Sequence, residues 1–248
     1  MNTTARPVAL ITGSARRIGA TIARTLHAAG FDLALHCRSS RVELDALVEE
    51  LEGTRAGSTL ALQADLADLP SLPGLITDTV RRFGRLDGLV NNASGFCPTP
   101  LGSITPAQWD ELFASNARAP LFLAQAAATH LAASGGAIVN LADIHGERPL
   151  REHAGYCMAK AALLMATRSL ALELAPKVRV NAISPGAILW PQDASDVAAQ
   201  AAMLARTPLG RTGTPEEVAE AVRWLLQDAT YCTGQVLHLD GGRMLDSQ

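Results

Sequence analysis

The sequence predicts an α/β fold in which about seven strands form a doubly wound parallel sheet, within one domain and with helices on both faces. Three observations predict it. Short, β-rich apolar runs alternate with longer helical patterns almost to the C-terminus. The strand-like runs are apolar on both faces, as expected of a sheet covered on both sides. A glycine-bearing turn separates the first run from the first helix.

Taken in order, Val8-Ala-Leu-Ile-Thr12 is a buried strand. Gly13-Ser-Ala-Arg-Arg-Ile-Gly19 then turns into a helix near 17–29. Further strands are expected at 32–37, 59–64, 88–91, 137–141, 179–183 and 235–239. The helices between them fall near 41–53, 71–83, 106–133, 153–175 and 214–227, with another inside 193–206. No internal repeat, low-complexity tract or Pro/Ser-rich linker divides the chain, so residues 1–248 are expected to form a single domain.

Composition narrows the class. At 48% apolar residues the chain has enough material for a large core, and a net charge of −3 offers no electrostatic case for nucleic acid or an anionic membrane surface. No apolar run reaches the roughly 18–20 residues needed to span a bilayer, and the N-terminus lacks a long apolar signal stretch. Cys37, Cys97, Cys157 and Cys232 are scattered, without a CxxC pair or a His/Cys cluster. Reduced thiols, no metal site and a cytoplasmic protein are therefore expected.

The candidate chemistry lies at two places. The turn after the first strand, with Gly13 and Gly19, permits a close backbone approach at a helix N-terminus, which suits a pyrophosphate. At the end of the second strand, His36-Cys37-Arg38-Ser39 carries no acid to hold a ribose diol. Arg38 and Ser39 can instead take a 2′-phosphate, with Arg17 as a second guanidinium, so NADPH is expected in preference to NADH. Further on, Tyr156-Cys-Met-Ala-Lys160 places a phenol and an ammonium four residues apart on one helix face. There the ammonium is expected to stabilise the phenolate and make Tyr156 a proton-transfer group.

With these motifs the chain resembles the short-chain dehydrogenase/reductase family, whose fold is Rossmann-like. The resemblance runs through Thr12, Gly13 and Gly19, with Arg17 replacing the family's middle glycine. It continues through Asp65-Leu66, Asn91-Asn92-Ala93, Asn116, Tyr156/Lys160, Asn181, Pro185-Gly186, Gly234 and Asp240-Gly241-Gly242. It implies cofactor contacts from Gly13, Arg17, Ile18, Gly19, His36, Arg38, Ser39, Asp65, Leu66, Asn92, Ala93, Tyr156, Lys160, Pro185 and Gly186. It also implies that Lys160 holds the nicotinamide ribose, and that Asn116 keeps a water path to Lys160 open.

Within that family the chain is similar to the pteridine reductases. These share an arginine in the glycine-rich turn, a loop of the form Ser94-Gly-Phe96-Cys-Pro-Thr-Pro100, and an aspartate, here Asp143, where a catalytic serine would stand. A flat bicyclic ring needs a π platform, which Phe96 can supply. Arg17 is expected at the pterin O4 edge, Ser94 at the amino-pyrimidine, and Trp190 over the outer edge beneath a lid near 187–212. The negative charge of Asp143 would hold Tyr156 protonated, which suits an acid in the reductive direction. The expectation is NADPH-dependent reduction of dihydropterins, with dihydrofolate as a further candidate substrate, Tyr156 donating the proton and Asp143 positioning and replenishing it.

Two alternatives stay open: a general carbonyl reductase with Asp143 as an idiosyncratic replacement, and a non-catalytic NADPH-binding sensor or scaffold. His145, Arg148 and His153 are expected to be loop or surface residues. The long apolar helices near 106–133 and 153–175 suggest a homotetramer or homodimer.

Overall fold

The structure is a computed structural model that describes residues 6–189 and 197–245. Seven strands form one parallel sheet: β1 (Val8–Ile11), β2 (Asp32–Cys37), β3 (Thr59–Gln63), β4 (Gly88–Asn91), β5 (Ala137–Leu141), β6 (Arg179–Pro185) and β7 (Val236–Leu239). Their spatial order is β3-β2-β1-β4-β5-β6-β7, with every pair parallel. The direction of winding reverses between β1 and β4, which opens a crevice above the carboxyl ends of the strands.

Alternation along each strand builds two cores. Ala9 and Ile11 of β1, with Leu33, Leu35, Val90 and Ile183, face one side. There they pack under α1 (Arg17–Ala28), α2 (Arg41–Thr54) and α8 (Pro215–Gln227), which contribute Ile22, Leu26, Leu44, Val218 and Val222. Val8 and Leu10, with Leu89, Ile138 and Val180, face the other side. They meet α3 (Leu72–Phe83) and α5 (Ala119–Ser134) through Leu72, Leu75, Leu123 and Ala127. Because both faces are covered, the strands carry no polar face. No helix among the described residues is long and apolar enough to cross a membrane.

The helix expected over 106–133 is corrected by the structure. It is broken into α4 (Pro106–Phe113), a π turn at Ala114–Arg118, and α5. Side chains enter the backbone ladder at the break: Asn116 Nδ2 donates to Leu112 O at 2.9 Å and Ser115 Oγ donates to Glu111 O at 3.3 Å. Pro120 adds to the effect, since it has no N–H for the carbonyl four residues back. The break matters because it aims Ser115 and Asn116 at the loop that follows β4.

Helix α6 (Ala154–Leu174) buries Tyr156, Ala159, Lys160, Leu163, Leu164 and Thr167 along one stripe. A buried polar tie anchors it to the sheet. Asn91 Nδ2 donates to Asn140 Oδ1 at 2.8 Å, and Asn140 Nδ2 donates to Thr167 Oγ1 at 2.9 Å. In the expected 193–206 region a helix, α7, runs over Val197–Ala205. Trp190, and with it part of the expected lid, lies outside the described residues.

Candidate functional site

A cleft of about 440 Å³ lies at the switch in strand order. Gly13, Arg17, Ile18, Gly19, His36, Arg38, Ser39, Asp65, Leu66, Asn92, Ala93 and Ser94 all line it, so the structure brings together most of the cofactor residues expected from sequence. Gly13 has φ +63, and a side chain there would put a Cβ 2.9 Å from Ala93 Cα. At Gly19 a Cβ would strike the carbonyl oxygen of Gly13. Gly13 is thus required where the turn passes the segment after β4, and Gly19 where the start of α1 lies against that turn. Thr12 Oγ accepts from the amides of Asn92 and Ala93, each at 3.0 Å. Asn92 Nδ2 returns bonds to Thr12 O and Gly13 O at 2.9 Å.

Two residues in this cleft have unusual settings. Arg17, where the family pattern has glycine, sits at φ +53, a left-handed conformation that costs a side-chain-bearing residue about 1–2 kcal/mol. Its guanidinium reaches Leu189 O at 3.3 Å. His36 is buried: its Nδ1 accepts from Gly13 N at 3.3 Å and its Nε2 donates to Ala64 O at 3.1 Å. Those partners assign the neutral tautomer. Burial also pushes its pKa below the ordinary histidine value. His36 therefore pins the glycine turn to β2 while lining the cleft. Pro185 and Gly186 close β6, and Gly186 N donates to Leu239 O at 3.0 Å, beside β7.

The second cluster lies where β5 ends and α6 begins. Asp143 is extended, two residues past the end of the strand, and its Oδ1 accepts from His145 N at 2.8 Å. Its Oδ2 accepts from Tyr156 Oη at 2.7 Å, across thirteen residues of sequence. Burial, then the charge and the hydrogen bond of Asp143, drive the Tyr156 phenol well above the usual tyrosine range. A hydrogen bond from Ser94 pulls the other way and is outweighed. Lys160 is buried, donates from Nζ to Leu141 O at 2.8 Å, and lies 5.7 Å from the centre of the Tyr156 ring. Desolvation brings its pKa down to about 8, against the opposing pull of Asp143.

The Lys160 ammonium faces the Tyr156 ring, while burial and Asp143 favour the phenol form of Tyr156. The Asn116 side chain ties the loop after β4 to its helix. Its amide donates to Gly95 O and Leu112 O, each at 2.9 Å, and its Oδ1 accepts from Ser94 Oγ at 2.7 Å. The Ser94 hydroxyl gives its one proton to Asn116, and its oxygen keeps lone pairs that can accept from an amino group.

The Phe96 loop is clamped at both ends. Gly95 N donates to Ser115 Oγ at 3.1 Å, Thr99 N to Glu152 O at 2.6 Å, and Gly155 N to Thr99 Oγ1 at 3.2 Å. Half-exposed Phe96 sits edge-on to Tyr156, with ring centres 4.8 Å apart at 86°. It stacks on His153 at 4.6 Å and 20°. His153, expected to be a bland surface residue, thus joins the site. A histidine three positions before Tyr156, on the same helix end, was the available signal.

Over most of its length the chain is similar to known proteins. A family model described as enoyl-(acyl carrier protein) reductase matches residues 13–243, and the chain belongs to the short-chain dehydrogenase/reductase family of oxidoreductases. A nicotinamide dinucleotide is the cofactor of that family. Among its relatives, granaticin polyketide synthase putative ketoacyl reductase 2 of Streptomyces violaceoruber is 41% identical, over 96% of both chains. Pteridine reductase 1 of Leishmania tarentolae is 37% identical, again over 96% of both. The 3-oxoacyl-(acyl-carrier-protein) reductase of Staphylococcus aureus (strain N315) is 35% identical, over 94% of this chain and 96% of the relative.

Proposed function

We propose that the protein is an NADPH-dependent pteridine reductase, taking dihydropterins and dihydrofolate to their tetrahydro forms. One observation carries this reading. The hydroxyl of Tyr156 is bonded at 2.7 Å to a carboxylate, Asp143, and the Phe96 ring lies edge-on to the Tyr156 ring, their centres 4.8 Å apart. A carboxylate can accept from the N–H groups of a nitrogen-rich ring, and an exposed aromatic ring offers a stacking surface. The likeness to pteridine reductase 1 supports the same assignment.

The cleft residues fit the cofactor. Gly13 and Gly19 leave the backbone bare, Arg38 and Ser39 supply cationic and hydroxyl donors at the end of β2, where no acid stands, and Arg17 adds a cation from the glycine turn. NADPH, when bound, supplies the hydride. Tyr156 holds the proton for a ring nitrogen of the substrate, and Asp143 keeps that proton in place by its charge. Asp143 also orients the hydroxyl, while Lys160, with donors beyond the one given to Leu141 O, is assigned to the ribose. Arg17, Ser94 and Phe96 are assigned to the substrate side; Trp190, expected there from sequence, lies outside the described residues. Asn116 braces the loop.

The apolar residues exposed on α5 and α6, Leu121, Phe122, Met165 and Leu172, fit a contact between copies of the chain, and a homotetramer is the expected assembly.

The test follows NADPH oxidation at 340 nm with 7,8-dihydropterin, dihydrofolate and simple ketones, with NADH as control. Pterin-dependent oxidation supports the reading, and Asp143→Ala should abolish it while NADPH still binds. Unchanged turnover in that variant would refute the role of Asp143. A second reading, reduction of a ketoacyl group, is favoured by the 41% identity to the ketoacyl reductase. Turnover of β-ketoacyl thioesters without pterin turnover would establish it.

A further inference from the structure

The cofactor cleft is ringed by charges of both signs. Arg16, Arg17, Arg38 and Asp65 border it on the side of β1, β2 and β3, and Glu111 of α4 faces them from the opposite wall. Each arginine has an oxygen of the protein nearby, and for Arg38 the contact is an ion pair longer than a hydrogen bond. Arg16 Nη1 lies 3.5 Å from Glu43 Oε1 of α2, Arg17 reaches Leu189 O at 3.3 Å, and Arg38 Nη1 lies 3.7 Å from Glu111 Oε1. The Arg38–Glu111 pair joins the end of β2 to α4, and so spans the mouth of the cleft.

Stability does not account for this pair. Its side chains are 62% and 64% exposed, and ion pairs so placed contribute little to folding. Nor does Glu111 serve the start of α4, since it lies beyond the first turn, which Thr105 and Gln108 cap reciprocally. What the pair does is occupy the guanidinium that the end of β2 offers to a 2′-phosphate. A carboxylate and a phosphate are rivals for that one cation, and they repel each other if both stay.

We propose that Glu111 is a specificity-determining residue of the cofactor site, which competes with the 2′-phosphate for Arg38 and so narrows the margin by which NADPH is preferred to NADH. The proposal rests on the NADPH assignment above but not on the substrate. NADH, which has a hydroxyl at that position, has no phosphate to exchange with the carboxylate. Glu111 therefore weakens one cofactor and leaves the other alone.

The experiment is a fluorescence titration of NADPH and of NADH into the purified protein, without substrate, for the wild type, Glu111→Gln, Arg38→Ala and the double variant. Glu111→Gln is expected to tighten NADPH binding by about two- to five-fold, the size of one exposed ion pair, and to leave NADH unchanged. The gain should vanish when Arg38 is alanine. Weaker NADPH binding in Glu111→Gln would overturn the proposal and make Glu111 a support for Arg38. An equal effect on NADH, or an effect that persists without Arg38, would also overturn it. Should the wild type bind neither dinucleotide, the cofactor assignment and this inference fall together. If NADPH binds as expected and pterins are not turned over, only the substrate reading falls.

Discussion

Asp143 stands 2.7 Å from the phenol it controls, and its charge adds to burial in keeping Tyr156 protonated. Asp143→Asn keeps the size and one acceptor oxygen but removes the charge, so the tyrosine pKa should move back toward its ordinary value. Dihydropterin turnover is expected to fall about 10²-fold, the scale of a mispositioned proton donor, with NADPH affinity by titration unmoved. His153 acts through Phe96. Loss of a stacked ring costs about 0.5–1.5 kcal/mol, so His153→Ala should raise the KM for dihydropterin roughly two- to ten-fold, with kcat held. His153→Phe should restore it, and an unchanged KM in the alanine variant would remove His153 from the site. At Arg17 the left-handed backbone is a strain that glycine would relieve. Glycine also has the more flexible unfolded chain, by about 0.5–1 kcal/mol, which offsets the relief. Arg17→Gly is therefore expected to leave Tm nearly unchanged while weakening NADPH, and a large fall in Tm would show that the side chain holds the turn together.

At the scale of elements, the break between α4 and α5 does what an unbroken helix would not. It turns Ser115 and Asn116 toward Gly95, so the loop bearing Phe96 hangs from the helix by the bonds to Gly95 N and Gly95 O. Asn116→Ala removes three buried or partly buried hydrogen bonds. At about 1 kcal/mol net each, this should lower Tm by roughly 6–12 °C in a chain of this size, measured by calorimetry. A shift under about 2 °C would mean that the π turn persists without its side-chain ties. The break was only partly legible. Pro120 marks a missing hydrogen bond, but a proline near a helix start is also compatible with one long helix, and no local pattern says which carbonyl an asparagine amide will take.

For the whole molecule, two buried histidines give stability a pH dependence. Burial is the largest cause that lowers the pKa of His36, and for His27 burial is joined by the nearby Arg55. A histidine with a depressed folded pKa takes up its proton more readily in the unfolded chain. Its contribution is therefore complete above the ordinary value of 6.5, and is lost as pH falls below that value through the folded pKa. Protonation of Nδ1 would also break the bond from Gly13 N, so cofactor affinity should weaken over the same range. The fall in Tm between pH 7 and pH 5 is expected to be smaller in His36→Gln than in the wild type. Parallel curves would exclude His36 as a source. Assembly belongs to this scale as well: for the proposed tetramer, Met165→Glu and Leu172→Glu on the exposed apolar face of α6 should shift sedimentation toward smaller species, and unchanged sedimentation would remove that face from any contact between copies.

By itself the sequence determined the parallel sheet, because two-sided apolar strands and crossover helices are short-range patterns that one face-covered architecture satisfies. It also determined the nearness of Tyr156 to Lys160, which follows from helix periodicity alone. Only the tertiary structure decided what those groups do to one another. Burial around Tyr156, the reach of Asp143 across thirteen residues, the lysine lying over the ring, and the pairing of Arg38 with Glu111 all depend on distances between separate elements. Electrostatic effects follow such distances and local desolvation steeply, and neither quantity is written in the order of residues along the chain.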